Sequence, residues 1–194
     1  MLRGMIFIDH MNFNIAFTNL YRAQNKYAPK LDYNKLFREV IGLVPNVDFL
    51  KAYLFVPKPD DFLMNDIGLK KYYEWVSGMR QASFTDVIDG RYVSRPVGDA
   101  IKNIDDPSTY YKVEKGIDIN LAIHALSKAF FNSYDVGFFL SADTDYITVY
   151  EMLKRIGKIV VQVAVKGQDS SKIRPSVDKS LVLNEELFQR CLRS

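Results

Sequence analysis

With 194 residues, 48% of them hydrophobic and 25% charged, the chain has the makeup of one globular domain with a sizeable core, which excludes a disordered or low-complexity polypeptide. Its single cysteine, Cys191, excludes an internal disulfide and suits a reducing cytoplasm, and no apolar stretch is long enough to cross a bilayer. The formal net charge of +3 permits a polyanionic partner without demanding one.

In chain order, Ile6, Phe7 and Ile8 form a buried strand over 5–9 that stops at Asp9, which also interrupts the start as a signal peptide. A helix follows over 12–24 with Ile15, Ala16, Leu20 and Ala23 on one face. The next helix, 31–43, carries Leu36, Phe37, Val40 and Ile41, with Asp32 as its cap. A second strand over 47–56 is closed by Pro57 and Pro59, which lack the ladder donor. A helix over 65–82 has Leu69, Tyr72, Tyr73 and Val76 as its inner stripe, and 84–88 is a third strand. Residues 89–114 break the rhythm: Asp89-Gly90 is a hairpin-type turn signal, and the stretch is expected to be a hairpin-like insertion or flap. The alternation then resumes with a helix over 117–131, strand 135–140, helix 145–155 and strand 159–165. A polar loop over 166–178, a short strand 181–183 and a closing helix 185–192 follow. Strand alternating with helix predicts a single α/β domain over 1–194, a mostly parallel sheet with helices on both faces.

Three separated stretches each end an apolar run in carboxylates: FIDHMN at 7–12, KGIDINLA at 115–122 and FFLSADTDY at 138–146. In an open parallel sheet, ligands bind at the carboxyl ends of strands where strand order reverses, so Asp9, Asp118, Asp143 and Asp145 can share one pocket. Four acids held together need a counter-charge, and a hard divalent cation, Mg²⁺ or Mn²⁺, is the simplest. The pattern therefore points to metal-assisted phosphoryl chemistry. Each acid also has a plain alternative: Asp9 or Asn12 as a helix cap, and Asp118, Asp143 and Asp145 as complements to helix N-termini. Lys115 either pairs with an acid or meets a phosphate. Ser170, Ser171, Lys172 and Arg174 belong to the same sheet edge, either as a phosphate-backbone contact or as a solvated loop.

Other chemistries are disfavoured. His10, His124 and Cys191 make no zinc-type spacing, and there is no GxGxxG after the first strand and no GxxxxGK[ST]. Met11 stands where an aspartyl-phosphatase would need a second Asp. Trp75 and the Tyr72–Tyr73 pair are expected in the core rather than as base-stacking platforms.

The three motifs in order resemble the NYN domain, specifically the LabA-like (DUF88) branch of the PIN-like nuclease superfamily. Asp9 with Asn12 matches its D-x-x-N, Lys115 with Asp118 its K-x-x-D, and Ser141, Asp143 and Asp145 its S-[GA]-D-x-D, with Ala142 where glycine is commoner. The likeness covers 4–185. It implies a PIN-like three-layer sandwich and metal-dependent endonucleolytic cleavage of RNA. Asp9, Asp118 and Asp143 would ligate Mg²⁺ or Mn²⁺, and Asp145 would do so directly or through water. Asn12 would position Asp9 or a water, Lys115 would meet the phosphate, and Ser141 with the 170–174 loop would contact substrate. Products would carry a 5′-phosphate and a 3′-hydroxyl. A non-catalytic RNA-binding or regulatory protein that keeps the pocket is the alternative. A Toprim-like nuclease fits less well, since that fold wants a glutamate ending an earlier strand. No membrane partner is expected, and a homodimer stays open.

Overall fold

The computed structural model describes residues 1–193. Seven strands form one sheet in the order β4-β3-β2-β1-β5-β6-β7. They are β1 (Leu2–Asp9), β2 (Val47–Pro59), β3 (Thr85–Pro96), β4 (Tyr110–Lys115), β5 (Val136–Leu140), β6 (Ile159–Val165) and β7 (Lys179–Leu183). Every pairing is parallel except β3 with β4. The helices are α1 (His10–Arg22), α2 (Tyr33–Gly42), α3 (Ile67–Gly78), α4 (Ile117–Phe130), α5 (Ile147–Arg155) and α6 (Glu185–Arg190).

Central strands of a sheet covered on both faces read as unbroken apolar runs. Along β1, Ile6 and Ile8 enter the core beneath α1, α2, α3 and α6, while Phe7 enters the opposite core beneath α4 and α5. The mostly parallel α/β sandwich expected from the alternation is the fold observed.

Helix starts follow their caps. Asp32 accepts the amides of Asn34 at 2.9 Å and Lys35 at 3.2 Å, as expected. Asp9 accepts the Asn12 amide at 3.1 Å, so α1 begins at His10 rather than Asn12. The buried face also differs from the expected one: Phe13, Phe17 and Tyr21 join Ala16 and Leu20 inside, and Ile15 and Ala23 turn outward. Trp75 is another correction. It is substantially exposed, its ring lying against His10 and Tyr33 at the rim rather than inside the core.

Two expected breaks are absent. Pro57 and Pro59 lie within β2, opposite Gly90 and Tyr92 of β3. The Ala52 amide donates to the Phe84 carbonyl, so even-numbered residues of β2 face β3 and both prolines face the other side. There β1 has already ended, with Asp9 opposite Phe55, and no donor is missed. Asp89-Gly90 is likewise no turn, because β3 runs through it to Pro96 and the hairpin closes over 97–109.

Gly90 is instead a point of close approach. A Cβ there would lie 2.6 Å from Ile117 Cδ1 and 2.8 Å from the Lys115 carbonyl oxygen. Gly90→Ala is expected to cost about 1–3 kcal/mol, the usual scale for forced overpacking, measured by urea unfolding. It should also disturb the start of α4, which the hairpin returns to the sheet edge.

Candidate metal centre

The chain leaves β1 for β2 and β3 on one side, then crosses to β5, β6 and β7 on the other, so the strand order reverses between β1 and β5. Ile8 pairs with Leu140, which brings Asp9 and the segment after Leu140 side by side at the carboxyl edge. The hairpin supplies the third component. Strand β4 runs back toward that edge, and Gly116, in a left-handed conformation at φ 82°, turns directly into α4.

Asp9 and Asp118 meet on one group. Tyr146 Oη lies 2.7 Å from Asp118 Oδ1 and 3.2 Å from Asp9 Oδ2. With a single hydrogen, that hydroxyl donates to one carboxylate at a time. Asp9 is 4% exposed. Burial, aided by the charges of Asp118 and Asp143, raises its pKa to about 6 against the pull of its bonds from Asn12 and Tyr146. Removing the bridge by Tyr146→Phe is expected to destabilise the protein in EDTA by about 1.5–3 kcal/mol, the range for a hydrogen bond to a charged group, read from chemical unfolding.

Asp143 caps a single helical turn, Thr144–Tyr146, by accepting the Asp145 amide at 2.9 Å. Ser141 is buried and its Oγ accepts the Asp143 amide at 3.1 Å, which makes it a support of the loop. Asn12 joins two loops: its Oδ1 accepts the Ala142 amide at 3.3 Å and Gln168 Nε2 at 2.9 Å. Capping and clustering therefore coexist in these acids.

Glu114 was not evident from the sequence. Its pKa is raised to about 7, first by lost hydration and then by the charges of Asp9, Asp118 and Asp143. The side chain is nevertheless open to water, which screens these charges. The electrostatically linked set is thus Asp9, Glu114, Asp118 and Asp143. Asp145 is exposed, one residue beyond Thr144 in the helical turn. Lys115 is exposed at the end of β4, has no ion-pair partner among the described residues, and by strand alternation occupies the face opposite Glu114.

The basic loop follows β6 at the same edge. Ser170 is buried, Ser171 donates its amide to Asp169 Oδ1 at 2.9 Å, and Lys172 and Arg174 are exposed. A 610 Å³ groove starts at Asn12 and runs between α1 and Lys166, Gly167 and Gln168, with Ile15 and Asn19 on its wall. His10 points into the other layer, its ring nitrogens 2.6 Å from Tyr72 Oη and 2.7 Å from Tyr33 Oη. His124 lies against Tyr53 and Phe55.

The donor chemistry suits a hard cation, with oxygen ligands only and mutual repulsion to relieve. Tyr150 offers a second sign. Its hydroxyl is buried without a protein partner, and its pKa is raised by burial and by the charges of Asp143 and Asp9. As described, however, no three His, Cys, Asp or Glu side chains converge closely enough to hold one ion.

An α/β sandwich with an acidic set at its switch point is an arrangement that PIN-like proteins also have, and the fold agrees with that class. The chain belongs to the NYN domain family, whose sequence profile matches residues 3–184. No curated protein matches it. Among solved structures it is similar to a protein of unknown function from Vibrio parahaemolyticus, at 16% identity and a TM-score of 0.58, over 99% of this chain and 96% of that one. That likeness concerns the fold. No helix among the described residues is long and apolar enough to cross a membrane.

Proposed function

We propose that this protein is a metal-dependent endoribonuclease, within the LabA-like branch of its family, acting in the cytoplasm. The observation that carries the reading is the acidic set at the switch point, with Asp9 desolvated beside Asp118 and Asp143. A bound Mg²⁺ or Mn²⁺ supplies Lewis acidity toward a phosphate oxygen and makes a water acidic enough to attack. Asp9, Asp118 and Asp143 would hold the ion, with Glu114 beside them and Asp145 acting through water. Asn12 fixes the loop that carries Asp143. Lys115 and Lys172 meet the RNA backbone as point charges and Arg174 as a planar hydrogen-bonding fork, and the groove along α1 gives the chain a path away from the acids. Cleavage leaves a 5′-phosphate and a 3′-hydroxyl.

One observation favours a second reading, an RNA-binding protein that does not cleave: Tyr146 already bridges Asp9 and Asp118, and no three acids converge. Incubation with mixed RNAs and single-stranded DNA in Mn²⁺, Mg²⁺ or EDTA separates the two. Metal-dependent cleavage of RNA is expected. Equal binding in EDTA and Mn²⁺ with no cleavage would replace the nuclease by the binding protein.

A further inference from the structure

Helix α4 is apolar on two faces. Ile117, Leu121, Ala125 and Ala129 are buried against the sheet. On the opposite side, Ile119 is 65% exposed, Ile123 58% and Phe130 75%, with Leu126 half-buried between them. A helix that is apolar all round belongs inside a structure, covered on both sides. The outer residues are spaced four, three and four apart, the repeat by which one helix seats side chains into another.

The patch extends beyond α4. Helix α5 packs beside it and exposes Met152 and Ile156 on the flank opposite Glu151 and Lys154, which reach toward Ser176 and Asp178. These six apolar side chains, from half-buried Leu126 to Phe130, together present on the order of 600 Å², most of the ~800 Å² per partner of a standard interface. Monomeric proteins seldom leave so large an apolar patch open.

We infer that this face pairs with a second copy of the chain about a twofold axis, the two α4 helices running antiparallel. Ile119 of one copy then meets the Phe130 end of the other, and Ile123 meets Leu126. A twofold interface must be self-complementary, and in this register apolar residues meet apolar residues along the whole seam. The seam's flanking positions, Asn120, Ala122 and Ser127, carry no charge and are small enough for close approach. This pairing does not depend on the proposed activity. Because Asp118 precedes Ile119 directly, the partner would brace the turn that carries the acid.

Light scattering on the full chain at micromolar concentration tests it. The wild type is expected at twice the 22.4 kDa chain mass, and Ile123→Glu and Phe130→Glu each at one chain mass with unchanged circular dichroism. A third variant, Ile123→Cys, should be linked into dimers by a short bismaleimide, since buried Cys191, its thiol pushed up to about 11, stays unreactive. A monomeric wild type, charged variants that stay dimeric, or an Ile123→Cys protein that does not crosslink would each overturn the pairing.

Discussion

Asp118→Asn is expected to remove metal-dependent RNA cleavage by at least ~10²-fold, the scale of losing one preorganised electrostatic contact at a reacting group. The side chain is exposed, and an asparagine keeps an oxygen for the Tyr146 hydroxyl, so the fold should survive. Asp143→Asn should behave alike, because asparagine also caps the turn that Asp143 begins. In EDTA both variants should melt at or above the wild-type temperature, since each relieves repulsion within the acidic set. Both should lose the stabilisation that Mn²⁺ gives the wild type. Lys115→Ala should fail differently, keeping the Mn²⁺-induced rise in melting temperature while lowering turnover or RNA affinity. Initial rates and melting curves with and without Mn²⁺ decide the matter. Full activity in Asp118→Asn, or a clear drop in its stability in EDTA, would leave that acid as a helix-terminus residue only.

What the sequence made legible was whatever a strand end announces locally. Apolar runs stopping at Asp9 and Ser141 located two walls of the site, and the register between Ile8 and Leu140 joins them. Asp32 as a cap was legible for the same reason, being local. Signals whose meaning depends on a neighbouring strand misled. Pro57 and Pro59 break a ladder only if a strand lies on their side, and β1 has ended there. Asp89-Gly90 has turn chemistry, yet its glycine serves the approach of Ile117. Ile15 is apolar, yet the aromatic stripe of Phe13, Phe17 and Tyr21 sets the inner face of α1 and leaves Ile15 on the opposite side. Glu114 and Tyr146 were hidden differently. Both stand within or beside quoted motifs, but their place in the site exists only once β4 folds back and Tyr146 reaches across to Asp9 and Asp118.

The acid limb of stability should depend on two neighbours acting in opposite directions. Asp9 has its pKa raised to about 6 in the fold, chiefly by burial, so it stabilises the folded chain at low pH and loses that contribution as pH rises through about 6. His10 is buried between two tyrosine hydroxyls with its pKa lowered to about 3 by burial, so its contribution is full above the ordinary histidine value and is lost as pH falls below it. At about 1.4 kcal/mol per unit, the histidine is worth ~5 kcal/mol and the aspartate ~3 kcal/mol over roughly the same window. The two contributions oppose each other across this window, so the test is the difference between the wild type and a variant that lacks the Asp9 carboxylate. Asp9→Asn removes the aspartate's contribution. It should be more stable than the wild type at neutral pH and should fall more steeply toward acid. Glu114 adds to the contrast, because part of its upward shift comes from the Asp9 charge and disappears with it. Urea unfolding of both proteins across that range, in EDTA, gives the two curves, and the carboxylates they share cancel in the difference. Parallel curves would mean that Asp9 is ionised in the fold at an ordinary pH, and the desolvated acid at the centre of the site would have to be given up.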